Sequence, residues 1–230
     1  VDARIEQVVT SGKVTLDDDE YEVETNTYVV GDDDQVIVID PANDAEAILK
    51  VVDGREVMAV ICTNGYDNIV STVLEVAEDE ERGDAEVMLH RADRRLWRQY
   101  FRRLARETDD EALKEVEPDA DLEDGGIFEI AGVQLEVMHT PGFTPGSVSL
   151  FSEQLGVIFT GNTLLRGRPG EIGGVYHDLN TQLNSISQLV GPLSGDIKVL
   201  PGQGPETTIG EEEGRWESWY GLDREEESTD

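Results

Sequence analysis

The chain is short of the residues that usually do chemistry. It has three histidines in 230 residues, at positions 90, 139 and 177, and no two sit at a local spacing that suggests chelation. Its single cysteine, Cys62, excludes an internal disulfide and lies in an apolar run, where a small buried hydrophobe is expected rather than a reactive thiol. No apolar run approaches the roughly 20 residues of a membrane span. The opening "VDARIEQVVTSGK" has no basic end followed by an apolar stretch, so neither a signal peptide nor a membrane association is expected, and a cytoplasmic location is. No serine occupies a G-x-S-x-G elbow, and "GNTLLRGRPGEIGG" matches no phosphate loop.

Lysine is scarce as well, at positions 13, 50, 114 and 198 only. Acid is abundant, with 51 Asp and Glu against 18 Lys and Arg and a net charge of −33. An acid-rich, lysine-poor composition resembles that of proteins from salt-accumulating halophiles. In molar salt the Debye length falls to about 3 Å, so self-repulsion is screened while a carboxylate surface stays hydrated. A cationic partner is the competing explanation. Acidity is spread along the whole chain, which favours the halophilic one, and nucleic acid is not expected as a partner.

Hydrophobic periodicity predicts strands over 3–10, 21–30 and 35–40, a helix over 43–53, a buried strand "EVMAVICT", a helix over 69–79 and a strand "AEVMLH". A long helix over 91–107 and an acidic irregular stretch over 108–125 follow. Four short strands come next: "GIFEIAG", "VQLEVMH", "VSLFS" and "GVIFTG". A helix over 179–190, a strand "IKVLP" and a helix near 206–219 close the pattern, which is read as one domain over 1–222 with a frayed acidic tail over 223–230. Two halves, each running from strands into helices, predict an α/β protein with two sheets covered by helices.

Four stretches carry a resemblance: "ICTNGYDNIVS" at 61–71, "HTPGFTPGSVSLF" at 139–151, "GVIFTGNTLL" at 156–165 and "VLPGQGPETTIGEEE" at 199–213. In this order they resemble the metallo-β-lactamase superfamily, above all its small glyoxalase-II-like hydrolases. The resemblance implies an αββα four-layer sandwich with the site at one edge of the sheets. It also implies a metal-binding sequence histidine-x-histidine-x-aspartate-histidine. Laid ungapped on this chain, those ligands fall on Asn64, Tyr66, Asn68 and Ile69. The later ligands fall on Phe143, Asn162 and Gln203. A one-residue gap would instead put the aspartate on Asp67, still losing the other six.

Zinc takes imidazole, carboxylate or thiolate, three or four of them at about 2.0–2.3 Å. Amides are weak donors, a neutral tyrosine is a poor one, and Phe143 and Ile69 cannot coordinate. Asn68 and Asn162 keep the shape of a carboxylate and remove its charge, which spares a desolvation cost once no cation is there. Phe143 and Ile69 are expected to fill the vacated volume. The expectation is therefore a metal-site shell rebuilt as a neutral, partly apolar core or pocket, with no cofactor and no catalytic residue.

Asp67, His139 and His177 are the candidates for a remaining pocket, with Tyr66 and Asp67 as a conceivable acid–base pair. His139 matches a non-ligand histidine of the family, and His90 reads as a capping or surface residue. The helix "RADRRLWRQYFRRLARE" holds seven of the fourteen arginines, with Trp97, Tyr100, Phe101 and Leu104 in one apolar stripe. That stripe can pack on the domain. Alternatively, Trp97, Arg98, Tyr100 and Phe101 can form an interface with a protein partner or a second copy. The functional expectation is a catalytically inactive binding or assembly subunit. The alternative is a hydrolase of thioester or related ester substrates with a divergent or non-metal site.

Overall fold

The computed structural model describes residues 3–16, 19–79, 83–171 and 175–221; the expected tail at 223–230 lies outside them. The chain opens with a long antiparallel hairpin, β1 (Arg4–Leu16) and β2 (Asp19–Gly31), in continuous register from Arg4 opposite Gly31 to Leu16 opposite Asp19. It is longer than the expected strands because the outer arms are polar and lack a clear apolar face. β3 (Gln35–Ile39) pairs antiparallel with β2, and β4 (Glu56–Cys62), β5 (Glu86–Leu89) and β6 (Ala120–Asp121) continue in parallel. The connections carry α1 (Ala45–Val52), α2 (Asp67–Val70), α3 (Val73–Ala77) and α4 (Arg94–Thr108).

The second sheet is formed by β7 (Ile127–Ile130), β8 (Val133–His139), β9 (Val148–Ser152) and β10 (Val157–Gly161). A small ribbon of β11 (Leu164–Leu165) and β12 (Arg168–Pro169) then leads into α5 (Leu179–Val190), β13 (Lys198–Pro201), β14 (Thr207–Thr208) and α6 (Ile209–Glu213). Both large sheets have six strands, ordered β1-β2-β3-β4-β5-β6 and β14-β13-β10-β9-β8-β7.

Strand alternation builds the layers. On β3, β4 and β5, Val36, Val38, Val60, Cys62, Val87 and Leu89 face the helices, whereas Ile37, Ile39, Ala59, Ile61 and Met88 face the other sheet. The second sheet answers with Val133, Leu135, Val137, Leu150, Val157 and Phe159. Its outer residues Ile158 and Val199 pack under Leu183, Ile186 and Leu189 of α5. The molecule is the expected αββα four-layer sandwich.

Several elements differ from the sequence reading. The helix expected over 69–79 is two short pieces, interrupted at Thr72. The closing helix is the short α6 followed by a 3₁₀ turn at Trp216–Gly221. The aromatic stripe of α4 is core, not interface: Trp97, Tyr100 and Phe101 are buried with Val70, Val73 and Leu89, and the Trp97 indole N–H donates to the Val116 carbonyl at 2.9 Å. The stripe is the face that α4 turns to the sheet. Of the proposed interface residues only Arg98 is exposed, and it pairs with Glu117.

Candidate functional site

Four loops meet at one end of the sandwich: the turn after β4, the β8–β9 connection, the turn after β10 and the turn after β13. Val148 N–H donates to the Thr63 carbonyl at 2.9 Å, Gly202 N–H to Gly161 at 2.7 Å, and the Thr140 and Thr163 hydroxyls lie 3.1 Å apart. The last loop is pinned by the first sheet. Asn26 Nδ2 donates to the carbonyls of Pro201 and Gly204, both at 2.8 Å, and the Tyr28 hydroxyl donates to Pro201 at 2.8 Å.

This convergence brings together some of the expected positions and not others. Asn64 Nδ2 donates to Asn162 Oδ1 at 3.3 Å, and Asn64 Oδ1 accepts the Tyr66 N–H at 3.1 Å. The backbone of Gly202 lies against the same amide: a Cβ there would come 3.2 Å from Asn162 Oδ1. The adjacent Gln203 has a buried Nε2 with no hydrogen-bond partner among the described residues. Tyr66 and Phe143 meet edge to face, with ring centroids 5.4 Å apart. Asn68 turns away and donates to Thr25 Oγ1 on β2 at 2.9 Å.

Ile69 corrects an expectation. It does not fill the space beside Phe143 but sits in the core under the helices, with Val29, Val36 and Val60. The space around Phe143 is filled by Val14, Tyr66 and Leu96, with Val23 and Tyr176 partly buried against them. Val14 and Val23 come from the two arms of the hairpin, so β1 and β2 bend over this end of the sandwich. Gly12 permits the approach, because a Cβ at that position would fall 1.9 Å from Asn43 Oδ1.

The three pocket candidates have separate surroundings. Asp67 pairs with Arg103 at 2.6 Å. His139 stacks on His90 with centroids 4.2 Å apart and donates from Nε2 to the Pro145 carbonyl at 2.9 Å. His90 caps the turn at 91–93 by accepting the Ala92 N–H, and burial together with the neighbouring His139 lowers its pKa to about 4. His177 lies 6.3 Å from the Phe143 ring and donates to Gln182 Oε1 at 2.7 Å. The amide hydrogens of Gln182 face the carbonyls of Asn162, Thr163 and Gly170. Of the conceived acid–base pair, Tyr66 packs on Phe143 and Asp67 faces Arg103 of α4.

Two buried carboxylates beside the site loops, Asp93 and Asp40, are not expected from the sequence. Asp93 is fully buried and accepts the Thr144 hydroxyl at 2.6 Å, the Gly65 N–H at 2.9 Å and the Gly146 N–H at 2.6 Å. It joins the start of α4 to two of the site loops. Burial raises its pKa while these three donors oppose the rise. Asp40, at the end of β3 with φ 55°, accepts the Thr63 N–H at 2.6 Å and the Thr63 hydroxyl at 2.7 Å, and burial raises its pKa to about 7. An acidic residue closing the apolar run "QVIVID" was the available signal for Asp40; for Asp93 the sequence offers none.

A sandwich of this topology, with its site built from loops at one sheet edge, defines the metallo-β-lactamase fold. The family model for the metallo-beta-lactamase superfamily matches residues 21–202, and the chain belongs to that superfamily. It is 27% identical over 197 residues to the hydroxyacylglutathione hydrolase GloC of Haemophilus influenzae, covering 81% of this chain and 89% of the relative. Among solved structures, TTHA1623 in a di-iron-bound form matches with TM-score 0.69 and 27% identity, covering 84% of this chain and 94% of that one. The BLEG-1 B3 metallo-beta-lactamase matches with TM-score 0.70 and 27% identity, covering 88% and 96%.

The superfamily implies metal, and the residues here do not fit it. The matched positions supply three amides, a tyrosine and two hydrocarbon side chains around a packed interior, with Asn68 engaged elsewhere. Among the described residues, no three His, Cys, Asp or Glu side chains are grouped as a metal would require. Asp93 and Asp40 are nearby, but each is enclosed by its own donors.

Proposed function

We propose that this protein is a non-catalytic member of the metallo-β-lactamase superfamily, acting as a binding or assembly subunit. One observation carries the reading: Phe143, where a metal ligand is expected, is packed between Tyr66, Val14 and Leu96. A hydrocarbon ring in that place removes a ligand and takes up its space at once. The Asn64–Asn162 bond supports it, since the Asn64 amide donates to the Asn162 oxygen that would otherwise face a cation. A cytoplasmic location and a high-salt setting belong to the same proposal, the second supported by the net charge of −33.

A second reading is favoured by the names of the relatives. A hydroxyacylglutathione hydrolase aligned over most of the chain supports a thioester or ester hydrolase working through a divergent site. Elemental analysis of protein purified in molar salt, with thioester and β-lactam hydrolysis assays, separates the two. The first reading expects substoichiometric zinc, iron and manganese and no turnover above buffer. Near one equivalent of tightly held metal with chelator-sensitive hydrolysis would establish the second.

A further inference from the structure

Among the described residues, the outer face of α4 is strongly basic, and the fold pairs only some of its arginines. Arg95, Arg98, Arg102 and Arg106 recur at helical spacing and are all exposed, with Arg91 in the preceding turn. Arg98 pairs with Glu117, and the more sheltered Arg94 with Glu117 and Asp121. Among the described residues, Arg91, Arg95, Arg102 and Arg106 have no ion pair. Arg95 lies over the Tyr176 ring at 5.7 Å, and Arg106 donates only to the Arg102 carbonyl of its own helix.

Helix electrostatics favour Arg106, in the last turn, but oppose the start of the stripe and the acidic segment beyond its end. Cations are favoured near a helix C-terminus and disfavoured in the first turn, where Arg94 and Arg95 stand. Carboxylates are favoured near the N-terminus, yet Glu107, Asp109, Asp110 and Glu111 gather at the other end. The acidic stretch then runs back along the helix, because Glu117 and Asp121 reach Arg98 and Arg94 near its start. The result is a basic stripe on α4 lying beside an acidic stripe from 107–121.

Two adjacent stripes of opposite sign are self-complementary. A two-fold axis between them sets each basic stripe against the acidic stripe of the other copy, which is the requirement of an isologous interface. We propose that this face is the contact between two copies of the chain, with the free arginines of one protomer pairing the acidic segment of its partner. The proposal does not depend on whether the site at the sheet edge is catalytic. Contact pairing of this kind also resolves how a chain of net charge −33 could self-associate, since long-range repulsion is screened in salt while close pairs persist.

The test is the mass of the full chain in solution, by sedimentation equilibrium in molar KCl. The wild type is expected at twice the monomer mass. The triple variant Arg95→Glu, Arg102→Glu, Arg106→Glu is expected at monomer mass with an unchanged circular dichroism spectrum. The reverse variant Glu107→Arg, Glu111→Arg, Glu115→Arg is likewise expected to be monomeric. An equimolar mixture of the two is expected to recover the doubled mass, because both contacts of the mixed pair regain opposite charges. A wild type that stays monomeric at every concentration, a triple variant that still dimerises, or a mixture that remains monomeric would overturn the proposal. So would nucleic acid that copurifies with the wild type and is lost with the arginines.

Discussion

Asn64 and Asn162, 98 residues apart in sequence and both at positions where the resemblance places metal ligands, share a hydrogen bond of 3.3 Å. The pair is neutral and buried. Asn162→Asp would set an ionised oxygen there with only one amide donor facing it. The expected cost is about 1–3 kcal/mol at neutral pH, shrinking toward acid as the new carboxyl takes up a proton. Urea denaturation of both proteins at acid and neutral pH measures it. Equal midpoints at neutral pH would mean that the amide pair is not enclosed as described.

Phe143 is expected to be a stability residue. Phe143→Ala should cost about 3–5 kcal/mol, the range for removing a buried aromatic ring. Phe143→His should restore no metal binding, because the surrounding positions remain amide or hydrocarbon. Isothermal titration with zinc reads the second expectation directly, and a stoichiometric site in the histidine variant would refute it.

Trp97→Ala should behave in the same way, with a loss of about 3–5 kcal/mol. The indole is fully buried and holds the Val116 carbonyl. A surface tryptophan would cost far less. Thermal unfolding therefore distinguishes the core assignment from an interface role.

Asp40 gives a signed pH dependence. Its pKa in the fold is raised to about 7 by burial, above the roughly 3.9 of an unfolded aspartate. The folded state thus holds this proton more tightly. That contribution is fully present below about pH 4 and is lost as pH rises toward 7. Asp40→Asn should flatten the stability profile over that window relative to wild type. Parallel profiles would show that the group does not titrate there.

Salt should stabilise. With 51 acidic and 18 basic residues, self-repulsion is large at low ionic strength, and thermal midpoints should climb steeply into molar KCl. Equal midpoints at low and high salt would remove the halophilic reading.

Local signals made much of the fold legible. The 179–190 helix was read to its boundaries, and Asp178 caps it by accepting the Thr181 N–H. The continuous apolar runs of β3 and β4 marked strands buried on both faces. The hairpin was read too short because its polar outer arms lie beyond the apolar alternation. At the site, the motifs located the positions but not their neighbours. Ile69 and Phe143 are both strongly hydrophobic; the direction of α2 sends Ile69 to the helix-side core, while the β8–β9 connection sets Phe143 at the sheet edge. Asp93 was illegible because its three donors lie 28, 51 and 53 residues away. A carboxylate is called to the interior by loops it cannot announce in its own surroundings.

The bonds from Asn26 to Pro201 and Gly204 span 175 and 178 residues. Such distant contacts form late, since a long loop must close before they exist. On a ribosome adding about 5–20 residues per second, Asn26 emerges roughly ten to thirty-five seconds ahead of its acceptors. Once β6 has been made, at residue 121, the first sheet can form without the loop it will clamp, and the end of the sandwich that holds Asn162 and Gln203 is still open until residues 201–204 follow. The hairpin and parallel strands must remain soluble in that state, which a well-hydrated carboxylate surface favours even where salt screens repulsion between chains.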